Sequence, residues 1–395
     1  MIRGPIMMIA GEPSGDTLAA ELVGSLRSLW PGALPELIGA GGPRMRQAGV
    51  DLSHELTTLS VIGPADVARH YFHFRRIFHD LVRRATERRP ELIVLVDYSH
   101  FNHRFASAIR EVAARTGGAW KPKLVKYVSP QVWASRPGRA KVMERDFDLL
   151  LCLFPFEPGW YASRTPRLRV RYVGHPVLDR YPASSESPTP HAVSGVHRVL
   201  LLPGSRRQEL QRHLPVMQAA CVRLAAGGRC EFLMVLPTEA LREQAAGLLD
   251  PQLAARLQVG GLPEALKWAS VAIASTGSVT MECAYFSVPT VALYRTALLT
   301  YLLGKRLVTV PYLAMPNLLA GRVVMPEFVQ GDATAEAIAG AASEILQKPE
   351  RAEAMREGLR GVIRSLGDPG ASGRAAAAIL ELVSLQEGVP QPQIS

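Results

Sequence analysis

Two short, nearly continuous apolar runs constrain this chain more than anything else in it: Leu92-Ile93-Val94-Leu95-Val96 and Val199-Leu200-Leu201-Leu202. A strand apolar on both faces needs cover on both, which points to a parallel sheet with helices packed above and below. Each run stops abruptly at residues that carry chemistry, the first at Asp97-Tyr98-Ser99-His100-Phe101-Asn102 and the second at Pro203-Gly204-Ser205-Arg206. In open parallel sheets ligands lie outside the carboxyl ends of the strands, so both stops are candidate sites. Other strand-loop-helix units surround them. Ile6 to Ala10 runs into Gly11-Glu12-Pro13-Ser14-Gly15-Asp16 and a helix from Thr17, and Lys123 to Ser129 runs into Pro130-Gln131-Val132-Trp133. In the second half, Trp268 to Ala274 runs into Ser275-Thr276-Gly277-Ser278 and a second helix, with a strand from Thr290 to Tyr294 after it. The fold class is α/β.

A chain of 395 residues is long for one core. The composition turns to Pro, Ser, Thr and Ala from Pro182 to Gly195, which predicts a first domain over 1–182, a linker over 183–196, a second domain over 197–366, and a C-terminal helix and tail over 367–395. No apolar run reaches the roughly 18 residues of a membrane span. The first residues lack the pattern of a signal peptide, so the expected location is the cytoplasm. Cys152, Cys221, Cys230 and Cys283 stand far apart without a C-x-x-C pair, which argues for buried, reduced thiols rather than zinc or disulfides.

Around Arg206 the pattern predicts an anion site. Ser205 and Gln208 have capping-box spacing, so a helix should open at about Arg206. Two arginines in a first turn oppose the helix dipole unless an anion lies between them, and we read that anion as a diphosphate; solvated arginines on a plain strand-to-helix turn are the other reading. The loop after Ile6–Ala10 carries neither G-x-G-x-x-G nor the P-loop pattern, but Gly11 and Gly15 could let a ligand approach the backbone, with Ser14 or Asp16 alternatively capping the next helix. Asp97, at the carboxyl end of a buried strand, is the candidate general base, or else a cap or turn residue. Asp146-Phe147-Asp148 spells D-x-D, but it precedes its strand instead of following it, so these read as two surface acids and no metal is expected. Tyr312 to Arg322 has too many Pro and Gly for a regular element and should pack against a ligand or a neighbour.

The net charge is +10, and half of it falls between Arg69 and Arg89, where seven arginines face Asp80 and Glu87. Val67, Tyr71, Phe74, Phe78, Leu81 or Val82, and Ala85 share one helical face of this segment, with arginines on the others. Such a helix suits an anionic membrane surface, with Tyr71, Phe74, Ile77 and Phe78 as contacts, or else a core helix with a solvated back. Concentration of the charge on one helix, without a recognition motif, argues against nucleic acid.

Taken together, Ala10-Gly11-Glu12-Pro13-Ser14-Gly15-Asp16, Gly42-Pro43-Arg44-Met45, Tyr127-Val128-Ser129-Pro130-Gln131-Val132-Trp133, Pro155-Phe156-Glu157, Val173-Gly174-His175-Pro176, Leu202-Pro203-Gly204-Ser205-Arg206 and Pro316-Asn317-Leu318-Leu319-Ala320-Gly321-Arg322 resemble the lipid-A-disaccharide synthases over most of the chain and in the same order. The sequence departs from the family at His100, where a second Asp is usual, at Ser135, where Trp is usual, and in the order Ser275-Thr276-Gly277. The resemblance implies a GT-B fold of two Rossmann-like domains with a cleft between them. It implies an inverting, metal-independent transfer of 2,3-diacylglucosamine from UDP to 2,3-diacylglucosamine 1-phosphate, giving the β-1,6 disaccharide and UDP. A related GT-B glycosyltransferase or a UDP-sugar epimerase with another substrate is the alternative. On this reading Asp97 and Arg206 are catalytic. Gly11, Glu12, Ser14, Gly15, Asp16, Ser129, Gln131, Gly204, Ser205, Ser275, Gly277, Ser278, Glu282, Asn317 and Arg322 bind substrate or nucleotide, Glu282 at the ribose and Asn317 at the nucleotide phosphate or sugar. No cofactor is needed, since the UDP-sugar is itself a substrate. The expected partners are UDP-diacylglucosamine, an acylated sugar phosphate and the inner face of the inner membrane; a homodimer is left open.

Overall fold

The structure is a computed structural model that describes residues 2, 4–57, 67–181, 195–251 and 253–384, without the side chains of 67–71, 299 and 303. The predicted linker over 183–196 and the end of the tail therefore lie largely outside the described residues. The chain forms two compact units, one from 1–179 together with 368–395, the other from 180–367.

In the first unit the order is β1 (Ile6–Ala10), α1 (Pro13–Leu29), β2 (Leu37–Gly41), α2 (Pro43–Gln47), β3 (Asp51–Glu55), α3 (Val67–Arg88), β4 (Leu92–Val96), α4 (Ser99–Arg115), β5 (Lys123–Tyr127), α5 (Val132–Ser135), α6 (Ala140–Asp146), β6 (Leu149–Cys152), α7 (Glu157–Ala162), β7 (Arg169–Tyr172) and α8 (Val177–Arg180). Its sheet runs β3-β2-β1-β4-β5-β6-β7 with every neighbour parallel. The strand order reverses between β1 and β4, so the loops after these two strands open on the switch point where such sheets bind ligands. β4, β1 and β2 are buried along their whole length, as a doubly covered sheet requires. β3, Asp-Leu-Ser-His-Glu, shows no apolar run because it is an edge strand.

The second unit has β8 (His197–Leu202), α9 (Arg207–Gly227), β9 (Cys230–Leu236), α10 (Glu239–Ala246), β10 (Ala255–Val259), α11 (Leu262–Trp268), β11 (Val271–Ser275), α12 (Val279–Tyr285), β12 (Thr290–Tyr294), α13 (Leu298–Leu307), α14 (Met315–Ala320), β13 (Glu327–Val329), α15 (Ala335–Gln347) and α16 (Pro349–Ser365). Its parallel sheet runs β10-β9-β8-β11-β12-β13 and reverses between β8 and β11. Both units therefore share one plan. The stretch from Tyr312 to Arg322, expected to be irregular, contains α14: Pro316 sits in its first turn and Gly321 closes it at φ +64°, so the Pro and Gly mark its ends instead of breaking it.

The last helix, α17 (Ala371–Ser384), returns to the first unit. Ala375, Ala376, Ile379, Leu382 and Val383 join Leu18, Leu22 and Leu26 of α1 in one core. Asp179 accepts the N–H groups of Gly370 and Ser372, and Arg374 donates to the carbonyls of Val173, Pro369 and Asp368, each at 2.8 Å. The final segment is thus part of the first unit, not a separate appendage.

Candidate functional site

In the first unit, Asp97 and Tyr98 follow the last residue of β4 with φ values of +46° and +43°. A left-handed backbone costs a residue with a side chain roughly 1–2 kcal/mol, and two in succession persist only where the surroundings hold them. Several contacts do so. The Asn102 amide donates to the carbonyls of Val96 (3.1 Å) and Asp97 (2.9 Å), the Asp97 N–H donates to Tyr127 O at 2.6 Å, and the Tyr98 ring stacks on Phe101 at 5.4 Å. The turn aims the half-buried Asp97 carboxylate at the first turn of α1, where the Ser14 hydroxyl donates to it at 3.3 Å.

Gly11, in the loop after β1, and Gly15, in the first turn of α1, both face protein. A Cβ on Gly11 would lie 2.2 Å from the Tyr98 ring, and one on Gly15 3.2 Å from the Asp97 Cβ. Gly11 thus serves the packing of Tyr98. Burial, helped by the charge of Glu12, pushes the Tyr98 hydroxyl up to about 12. Asp16 is 2 % exposed and accepts the N–H groups of Gly42, Arg44 and Met45 at 2.9–3.0 Å. It caps α2, and with its carboxylate so enclosed it is a structural residue, not a substrate contact. Ser129 is likewise turned inward: its hydroxyl meets Tyr161 at 3.2 Å, while Gln131 two residues on is exposed.

Beneath this loop lies a buried acid that sequence reasoning assigned no role. Glu157 accepts the indole N–H of Trp133 at 3.1 Å and the Phe154 N–H at 3.0 Å. Burial pushes its carboxyl up to about 7, partly offset by hydrogen bonds from Ser129, Phe154 and Trp133. Its spacing from Trp133 in sequence concealed the pair.

In the second unit the turn after β8 places Gly204 at φ +121°, where a Cβ would also meet Glu209 Oε2 at 2.4 Å. The Glu209 carboxylate accepts the N–H groups of Ser205 (2.9 Å) and Arg206 (3.3 Å). The capping pair is therefore Arg206 with Glu209, one residue beyond the expected Ser205 with Gln208, because an anion suits the positive helix end better than an amide. Ser205, Arg206 and Arg207 are all exposed there, and Arg206 Nη1 lies 3.5 Å from Glu209. His213, fully buried in α9, donates from Nδ1 to Pro203 O at 2.7 Å and accepts the Arg295 N–H on Nε2 at 3.0 Å. It ties the loop after β8 to the loop after β12, and burial holds its proton affinity below the usual histidine value.

The loop after β11 is more open. Gly277 and Ser278 are exposed, a Cβ on Gly277 would meet nothing within 4 Å, and Ser275 at the strand end is buried. In α12, Glu282 accepts the Tyr181 hydroxyl on Oε1 at 3.0 Å, and burial raises its carboxyl above the ordinary range. Asn317 requires a correction. It is fully buried, donates to Met325 O (2.9 Å) and Glu327 (3.1 Å), and accepts from Val324 N (2.8 Å) and Met325 N (2.9 Å). All of its hydrogen-bonding capacity is spent inside the loop, so none remains for a nucleotide. Arg322 is exposed beside Gly358 of α16. Asp146 and Asp148 are engaged by Arg145, Ser107, Arg110 and the Leu124 N–H.

The expected membrane face of α3 also changes. Ile77 is 3 % exposed and joins Leu81 and Ala85 in the core, and Phe78 packs edge-on against Phe101 and Phe105. These side chains cover the sheet and cannot insert into lipid. Phe74 is half-buried, and the Tyr71 side chain lies outside the described residues. What α3 exposes is Phe72, with Arg75, Arg76, Arg83 and Arg84.

The family profile described as "Lipid-A-disaccharide synthetase" matches residues 6–379. Lipid-A-disaccharide synthase of Myxococcus xanthus is 34% identical over 384 residues, covering 96% of this chain and 97% of its own. That of Geobacter sulfurreducens is 35% identical over 394 residues, covering 96% and 98%. Among solved structures, S. aureus MnaA with UDP aligns at TM-score 0.63 and 14% identity over 98% of this chain and 99% of its own. The calicheamicin glycosyltransferase CalG4 aligns at TM-score 0.57 and 14% identity over 99% and 100%. At such identities these two likenesses concern the fold, which is that of GT-B glycosyltransferases and UDP-sugar epimerases.

Proposed function

This chain belongs to the lipid-A-disaccharide synthase family, and on that premise we propose that Asp97 accepts the acceptor's proton while Arg206 carries the charge of the leaving diphosphate. The family's reaction joins a UDP-sugar to an acylated sugar phosphate. The acceptor oxygen attacks the anomeric carbon as its proton passes to Asp97, and the bond to the diphosphate breaks with its electron pair leaving on UDP. A single displacement inverts the anomeric centre. The observation that carries this reading is the strained, fully braced Asp97–Tyr98 turn at the β1/β4 switch point, with its carboxylate aimed at Ser14. In the second unit the exposed Arg206 and the open Gly277 loop stand at the ends of β8 and β11, the equivalent switch point. Their placement suits a diphosphate, and a guanidinium can neutralise it without a metal ion. Glu282 is suited to the ribose through Oε2, since Tyr181 engages the other oxygen.

The lipid-linked substrates also call for contact with the inner face of the inner membrane. Two surfaces support it: the arginines and Phe72 on the outside of α3, and α13, where Leu298 (64 % exposed) and Leu302 (51 % exposed) share a face with Lys305 and Arg306. Exposed leucines beside basic residues match an anionic lipid surface.

The test separates the two halves of the mechanism. Asp97→Asn should lose about 10²–10⁴ in turnover with UDP affinity unchanged, whereas Arg206→Ala should weaken UDP binding, and EDTA should leave the wild type untouched. An Asp97→Asn enzyme retaining more than about a tenth of wild-type kcat rules out Asp97 as the base, and activity that vanishes with EDTA and returns with Mg²⁺ rules out the metal-free scheme.

A further inference from the structure

Lys126, in β5, is fully buried, on the sheet face where its neighbours Leu124 and Leu150 contribute to the core. Lysine almost never occupies such a place, and burying an ammonium costs several kcal/mol that an apolar residue would avoid. Its partners are main-chain carbonyls, those of Asp97 and, at 3.5 Å, Leu95. The Asp97 carbonyl lies just beyond the end of β4, where the regular ladder no longer supplies a donor, and Asn102 is its second donor. We propose that Lys126 is a positioning residue for the reaction: its ammonium grips the Asp97 carbonyl from below and fixes the left-handed turn that aims the Asp97 carboxylate at its substrate.

This inference rests on the reading of Asp97 as the proton acceptor. The electrostatic surroundings agree with it. Burial lowers the proton affinity of Lys126 to about 8 and the Asp97 charge opposes that shift, so the ammonium is largely retained at neutral pH. The other titratable group facing it is His103 of α4, with Arg139, His100 and Asp146 beyond. Burial and the Lys126 charge hold His103 down at about 4, so it is neutral, and its Nε2 has no hydrogen-bond partner among the described residues. Asp97 is thus the carboxylate whose charge Lys126 senses.

Lys126→Met removes charge and donor at nearly constant volume; Lys126→Gln keeps a donor without the charge. Misaiming a reacting group by about 1 Å costs on the order of 10²-fold, so Lys126→Met should lower kcat by about 10- to 100-fold while KM and UDP affinity hold and Tm does not fall, with Lys126→Gln recovering part of the loss. Added to Asp97→Asn, Lys126→Met should cost nothing more, because it acts through the same group. The proposal is overturned if folded Lys126→Met turns over like the wild type, if KM rises in step with a falling Tm, or if neither variant folds, which would make Lys126 purely structural. The two readings fail separately: an active Asp97→Asn removes the base itself, whereas an inactive Asp97→Asn beside a fully active Lys126→Met removes only the positioning role.

Discussion

The two units repeat one sheet plan yet finish their switch points in opposite ways. In the first, the space that glycine leaves open is filled by protein: the Tyr98 ring lies over Gly11, Asp97 sits against Gly15, and a buried Lys126 and Asn102 hold the turn from below. In the second, Glu209 fills the space at Gly204, but Gly277 faces open space, and Ser205, Arg206 and Arg207 stand exposed. The contrast suits the proposed roles: a proton acceptor works only when its direction is fixed, which tight packing provides. A diphosphate, as proposed for the second unit, needs room and exposed positive charge. On that proposal one scaffold serves two tasks through the volume its loops leave behind.

The largest expected break in that contrast comes from adding one methyl group to each side. Gly11→Ala places a Cβ 2.2 Å from the Tyr98 ring. It should cost about 1–3 kcal/mol through overpacking and, by displacing Tyr98 and Asp97, lower kcat as well. Gly277→Ala meets no atom within 4 Å and bears only its φ of +153°, at about 1 kcal/mol. Thermal melts and kcat on both variants decide the matter. Equal damage at the two glycines would show that the loops do not differ in the way described.

A second effect has opposite signs in the two units. Glu157, raised to about 7 by burial, binds its proton more tightly folded than unfolded, so its contribution is complete below about pH 4.5 and is lost as pH rises toward 7. That loss is roughly 3 kcal/mol. His213, whose affinity burial lowers, contributes fully above its unfolded value of 6.5 and loses that contribution as pH falls below it. Comparing melts at pH 5 and 7, Glu157→Gln should remove the part of the profile that falls with rising pH, and His213→Asn the part that rises. A Glu157→Gln profile parallel to wild type would count against a buried, proton-hungry support under the first unit's loop.

The smallest effect concerns surfaces. Each basic residue near an anionic bilayer contributes about 1 kcal/mol. Leu298→Ser with Leu302→Ser, or Lys305→Glu with Arg306→Glu, should reduce flotation with anionic vesicles without changing the melting temperature. Arg75→Glu with Arg76→Glu makes the same test of α3. If the α13 variants float as the wild type does while the α3 variant does not, the lipid contact belongs to the first unit alone.

Much of this architecture was legible because it depends on local pattern. The apolar runs marked β4 and β8, and their abrupt ends marked Asp97 and the Gly204–Arg206 turn. What stayed hidden depends on partners far away in sequence. Asp16 caps a helix that starts at Pro43, Asn317 spends its amide on residues of the strand and loop that follow it, and Ser129 turns toward Tyr161. Polar residues in motif-like stretches looked like ligand contacts because their protein partners could not be seen. The α3 face was read correctly as apolar, but periodicity cannot say whether an apolar stripe meets lipid or a sheet, and Ile77 meets the sheet. The one-residue shift of the cap to Arg206 and Glu209 reflects the chemistry of a carboxylate at a helix end, which spacing alone does not weigh.

The return of α17 to the first unit has a consequence for how the molecule is made. A ribosome delivers the chain from its N-terminus, and domains generally fold as they emerge. Here the stretch 180–367 is contiguous and has its whole core available once it has emerged. The unit that carries Asp97 is translated first, yet α1 waits for Ile379, Leu382 and Val383 to cover it. The half that emerges first is therefore the half finished last, and a ribosome that stalls or terminates shortly before Ala371 would release a completed second unit and a first unit with its apolar flank uncovered.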